Sequence, residues 1–164
     1  MSSSRGPGDQ PPNWVQVNFR MSGGPATSMG MGAEALSPDT VRLPSTPWAA
    51  LDAAKGDIFR VRPDATGALW VEEKLEASGY CAIRVALVPD GPLGPLTNHV
   101  NAILGKFAPW GATGSGMFGL AVVDVPPTAD LPAVRRLLDK GQGDGWWDYD
   151  ELCVTDAWTA AASL

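Results

Sequence analysis

The stretch Phe118-Gly119-Leu120-Ala121-Val122-Val123-Asp124-Val125-Pro126 decides the architecture. Its apolar, β-branched run reads as a strand covered on both faces, since it lacks the polar alternation of a strand with one face in water. Pro126-Pro127 closes it, because proline cannot donate to a central ladder. Helical periodicity flanks the run on both sides. Upstream, Leu93, Leu96, Val100, Ile103, Leu104 and Phe107 recur at helical spacing, with Pro95 near the first turn and Gly111 past the end. Downstream, Asp130 is a good N-cap for a helix with the stripe Leu131, Val134, Leu137 and Leu138. Arg135, Arg136 and Lys140 suit the C-terminal end of its dipole, and Gly141 would stop it. The glycine-rich residues 111–116 read as a loop feeding the run. The second half is therefore expected to be β-α-β-α, with a buried central strand at 118–125 in an α/β-like arrangement.

The first half has a different texture. Trp14 to Phe19 alternates with period two, and the Gly/Met-rich Met21 to Gly32 reads as a loop. Gly32 to Ser37 reads as a second strand, turned by Ser37-Pro38-Asp39 into Thr40 to Leu43. Pro44 and Pro47 bracket a non-helical linker carrying Trp48. After the turn Lys55-Gly56-Asp57 come strands at Ile58 to Arg62, Ala68 to Leu75 and Tyr80 to Val88. Short strands with hairpin-length turns predict an antiparallel sheet or small barrel. The fold class is thus α+β, a single domain over residues 13–154. Met1 to Pro12 has the composition of a disordered tail, and the residues from Thr155 onward read as frayed. Gly145 to Asp150 reads as an aromatic turn, and Tyr149 to Val154 as a short helix or an edge strand.

Composition narrows the function classes. With 12 basic against 18 acidic residues the formal charge is −6, which disfavours a general nucleic-acid or anionic-membrane surface. No run approaches the roughly 18 apolar residues of a membrane span, and the N-terminus lacks the apolar core of a secretory signal. A cytoplasmic location is expected. Cys81 and Cys153 sit in apolar segments, as buried free thiols do, and with His99 as the only histidine they are too few for a zinc site. Neither a metal nor a cofactor is expected. Gly114-Ser115-Gly116-Met117-Phe118-Gly119 is formally G-x-G-x-x-G, but it follows a helix and precedes a strand, the reverse of a dinucleotide site.

Several landmarks occur in a telling order. They are Gly56-Asp57 before a strand, Gly67 in an acidic turn, and Ser78-Gly79 followed by Arg84. Asp124-Val125-Pro126 and Trp146-Trp147-Asp148-Tyr149-Asp150-Glu151 complete the set. Over roughly residues 14 to 153 the chain resembles the bacterial domain of unknown function family 4265. The family pattern S-G-H-S-T-x-R has a histidine where this chain reads S-G-Y-C-A-I-R, with Tyr80 in its place. A catalytic histidine in relatives would mean a lost function here, whereas a turn-capping one could be replaced by tyrosine. The resemblance implies a bacterial cytoplasmic module and supplies no mechanism.

Among individual residues, Asp124 stands out by interrupting an apolar run at the carboxyl end of a strand, where ligand sites of α/β units lie. A carboxylate capping the turn into Pro126 is the competing reading. Arg84, alone on the polar face of its strand, could bind an anion or a partner carboxylate, or simply pair with a nearby acid. Trp110, Trp146 and Trp147 beside glycine-rich turns could anchor an interface or cover the ends of a sheet. No catalytic constellation emerges. The expected function is a non-catalytic protein-binding module, immunity- or inhibitor-like, with another protein as partner. The alternative is a small enzyme or ligand sensor using Asp124, Arg84 and His99 in a cleft.

Overall fold

The first five strands close on themselves. β1 (Trp14–Arg20), β2 (Ser28–Ser37), β3 (Thr40–Arg42), β4 (Ile58–Pro63) and β5 (Leu69–Glu76) pair in chain order as antiparallel neighbours. A short parallel contact of β1 with β5, Val17 opposite Leu69 and Asn18 opposite Trp70, completes a barrel. Asn18 Nδ2 reinforces that seam by donating to the Leu69 carbonyl at 3.1 Å. Closure leaves these strands no open edge. The computed structural model describes residues 13–21, 28–92, 99–117 and 119–162. The tail expected at Met1 to Pro12, and Leu93, Pro95 and Leu96 of the expected first helix, lie outside those residues.

Period-two alternation fills the barrel. Val17, Phe19, Ala33, Val41, Phe59 and Val61 turn inward, and Phe19 meets Phe59 edge-to-face at 5.8 Å. The expected loop over Met21 to Gly32 proves in part to be strand, since β2 begins at Ser28. Its glycines serve close approach: a Cβ on Gly32 would lie 2.1 Å from the Trp14 ring nitrogen.

The strand that begins beyond Tyr80 leaves the barrel. β6 (Cys81–Leu87) pairs antiparallel with both β8 (Leu120–Val125) and β9 (Trp147–Cys153). With β7 (Thr113–Met117) they form a second sheet in the order β7-β8-β6-β9. Cys81, Ala82, Ile83 and Val85 are all buried, so β6 requires cover on both faces, as an interior strand provides. The apolar run is central as expected, with residues 121–125 buried, although the sheet around it is antiparallel; Phe118 lies outside the described residues. Of the loop expected at 111–116, residues 113–116 instead belong to β7. Cβ atoms on Gly114 and Gly116 would come within 2.9 Å of Leu104 and Val100, so glycine lets the strand pass beneath a helix.

That helix is α1 (His99–Phe107), continued by a 3-10 turn through Trp110. α2 (Leu131–Gly143) is capped as expected, Asp130 Oδ1 accepting from Ala133 N at 3.1 Å. It runs through Gly141 because the Trp147 ring lies against that residue, 2.2 Å from where a Cβ would sit. The residues from Thr155, expected to fray, instead form α3 (Asp156–Ala161). Thr155 caps it, and Trp158, 1% exposed, pins it to the core. The helices cover the sheet face that carries Cys81, Ile83, Val85, Val123 and Val125. The opposite face, with Ala82, Val122 and Cys153, looks toward the barrel.

Candidate functional site

The connection from β3 to β4, residues 43–57, runs as a strap between barrel and sheet. Leu43, Ala50 and Ala53 plug the barrel, while Ala54 packs with Ala82, Val122, Leu152 and Cys153 of the sheet. Polar bonds fasten it at both ends. Thr46 Oγ1 donates to Asp124 Oδ1 at 2.5 Å and accepts from Lys55 N at 3.1 Å. Asp52 N donates to the Leu152 carbonyl at 2.8 Å, and Gly56 N to that of Leu43 at 2.8 Å.

Asp57, 1% exposed, closes the strap. Its Oδ2 accepts from Ala54 N at 3.0 Å and from Lys74 Nζ at 2.9 Å, and its Oδ1 from Ser78 N at 2.8 Å. Strap, β5 and the β5–β6 turn therefore meet on one carboxylate. Burial works against the Lys74 charge, but the Asp57 carboxylate outweighs it and holds the ammonium above its ordinary pKa.

So firmly held a segment nevertheless turns apolar side chains outward. Trp48 is 53% and Leu51 66% exposed. Between Leu51 and the buried Ala53, Asp52 adopts φ 60°, a left-handed conformation that costs a non-glycine residue of order 1 kcal/mol. Arg84 Nη1 donates to the Trp48 carbonyl at 3.2 Å, and the same guanidinium grips Asp150 through Nε at 3.3 Å and Nη2 at 2.7 Å. An exposed tryptophan is thus seated beside an acidic strand.

The residues singled out from sequence divide between the two faces of the sheet. Ala82 stands opposite Asp124, so Arg84, two positions along, shares the barrel-side face with that carboxylate. Each is already engaged, Arg84 with Asp150 and Trp48, Asp124 with Thr46. Burial pushes the Asp124 carboxyl up, against the Thr46 hydrogen bond and the Lys55 charge. Trp147 is no interface anchor: it is fully buried, with Nε1 bonded to the Leu138 carbonyl at 3.0 Å. Trp146 is half-buried, with Lys106 and Lys140 over its ring at 4.7 and 5.1 Å. Trp110 is 42% exposed on the helical side, its carbonyl accepting from Asp130 N. His99 opens α1, and its side chain lies outside the described residues. Near the α2 start, a shallow depression of 560 Å³ is lined by Pro127, Leu131, Pro132 and three alanines of α3, with neither Arg84 nor Asp124 on its wall. Sequence reasoning passes over Trp48, Leu51, Asp57 and Lys74; Pro44 and Pro47 just ahead of a tryptophan are the available signal.

The clamp makes a direct prediction. Thr46→Val removes the donor to a buried carboxylate and should cost about 1–3 kcal/mol in urea unfolding at neutral pH. Since the lost bond favours the ionised acid, the deficit should narrow as pH falls through the raised pKa of Asp124.

The family model described as domain of unknown function DUF4265 matches residues 30–149. No curated protein matches the chain. A solved structure, a hypothetical protein from Neisseria gonorrhoeae, is similar with a TM-score of 0.67 at 15% identity, over 85% of this chain and 94% of that one. At that identity the likeness bears on the fold alone.

Proposed function

From the premise that this chain belongs to the DUF4265 family, we propose that it is a non-catalytic protein-binding module of the bacterial cytoplasm, of the immunity or inhibitor kind. The observation that carries this reading is the fastened strap, which holds Trp48 and Leu51 outward while Thr46 and Asp52 are bonded to the sheet and Asp57 is paired with Lys74 of the barrel. Aromatic anchors contribute most to binding when they are ordered beforehand, because little freedom is then lost on association. Holding two apolar side chains in water serves no folding purpose, and the left-handed Asp52 directly after Leu51 adds a further cost.

Charge describes the partner. Asp148 and Asp150 lie on the barrel-side face beside Arg84 and Ala86, and the chain as a whole carries −6. A partner with an apolar pocket rimmed by lysine or arginine fits that setting. Its association rate should fall as salt is raised, since exposed charges more than about 8 Å apart are screened at physiological ionic strength.

Native mass spectrometry of the protein purified gently from the cells that make it tests the class of function. A stoichiometric, basic protein partner is the expected result. A retained small molecule without a protein would overturn the proposal and favour a ligand sensor or enzyme using Asp124 and Arg84, which share one face of the sheet.

A further inference from the structure

We propose that Lys74 and Cys153 are joined by peroxide into a reversible S–N bond that staples the barrel to the second sheet, on the ground that Lys74 Nζ lies 3.6 Å from Cys153 Sγ with the Asp57 carboxylate 2.9 Å from the same nitrogen. Lys74 belongs to β5 of the barrel and Cys153 ends β9, so the bond would cross the seam that the strap otherwise holds. The separation is close to that of a near-attack arrangement, about 3–3.5 Å between reacting atoms, and little motion is needed to bond them. Cys81 is the internal contrast. It sits on the helical face of the sheet, 1% exposed, with the Thr155 hydroxyl at 3.6 Å as its polar neighbour.

The chemistry balances with one equivalent of hydrogen peroxide. The Cys153 sulfur, as thiolate, attacks one peroxide oxygen; the O–O bond breaks, hydroxide leaves and takes up the thiol proton, and a sulfenic acid remains. The Lys74 ammonium, which Asp57 holds charged, then gives up a proton to solvent, and the freed nitrogen lone pair attacks the sulfur. The S–O bond breaks, and the departing hydroxide is protonated to water. In sum, one thiol, one amine and one peroxide give the S–N link and two waters. Sulfur loses two electrons and peroxide gains them. Two equivalents of an added thiol reverse the link, regenerating cysteine and lysine and forming a disulfide between themselves. Burial pushes the Cys153 thiol up while the Lys74 charge pulls it down, so the step answers to sustained oxidant in place of trace peroxide.

This inference does not depend on the binding reading. The test treats the intact protein with hydrogen peroxide, quenches without thiol, and maps the digested peptides by mass spectrometry. The expected result is a mass lower by about 2 Da, with a linked peptide pair holding Lys74 and Cys153 that separates on thiol reduction. Cys81→Ala should keep the link, which removes a disulfide between the cysteines as its source. Lys74→Arg leaves a cation beside Asp57 without an amine nucleophile and should abolish the link. If that variant does not fold, the wild-type peptide map decides by itself. Cys153 recovered as a sulfinic or sulfonic acid, or unmodified, with Lys74 free in either case, overturns the proposal.

Discussion

Replacing Asp57 by alanine is expected to cost about 3–5 kcal/mol of folding free energy, enough to leave a marginal domain largely unfolded at 37 °C. The side chain is 1% exposed and receives hydrogen bonds from Ala54 N, Ser78 N and Lys74 Nζ. Alanine would strand two backbone amides and a half-buried ammonium at once. Desolvation of the unpaired groups, more than the lost attraction, makes the change severe. Asp57→Asn should fall between, because its amide keeps an acceptor oxygen but turns an NH₂ toward a donor.

A pH profile separates this ion pair from mere packing. The folded Lys74 ammonium holds its proton above the ordinary 10.5. The pair's contribution is therefore complete below that value and is lost as pH rises past it through the folded pKa. Tyr149 slopes in the same direction, its hydroxyl pushed up to about 12 by burial and by its bond to Asp139. Tyr149 keeps its contribution in Asp57→Asn, so the alkaline slope missing from that variant belongs to the Lys74 pair. Urea midpoints measured from about pH 10 upward, past the ordinary lysine value, detect it.

Trp147→Ala should be comparably damaging, at about 3–5 kcal/mol. The indole is fully buried, meets Phe107 at 5.7 Å and Trp146 at 5.5 Å, and is anchored through Nε1 to the Leu138 carbonyl. Gly141 in α2 leaves its ring room. Truncation would open a cavity where α1, α2 and β9 meet, and a thermal melt reads the loss directly. An interface anchor would behave oppositely, since its removal spares the melt and weakens only association. Nearly unchanged stability would contradict the core assignment.

How far these features were legible depends on whether they are local. The run at 120–125 carries its own burial signal, and the α2 cap and stripe are equally local, so both are legible in the sequence. Glycine misled in two places. Gly114 reads as a loop residue and Gly32 as the junction of loop and strand, but each lets a strand pass under a leucine or a tryptophan that is distant in sequence. Sequence alone groups β6 with the barrel, because period two reveals a strand without revealing its partners. Asp57 read as a turn residue; its three donors come from different segments and only the closed fold assembles them. Trp146 and Trp147 are consecutive, yet Trp146 is half-buried ahead of β9 while Trp147 opens that strand fully buried against Gly141 of α2, a difference invisible to composition. Thr155 ahead of Asp156-Ala157-Trp158 was a readable cap, and would have rescued α3 from the frayed tail.

The strap as binding surface is the central claim, and the double variant Trp48→Ala with Leu51→Ser tests it most directly. Both side chains are more than half exposed, so the variant should melt with the wild type. Native mass spectra of the two proteins, purified in parallel from the producing cells, are compared for bound protein. A stoichiometric partner on the wild type and none on the equally stable variant is the expected result. A variant that still carries that partner at wild-type stoichiometry would contradict the claim.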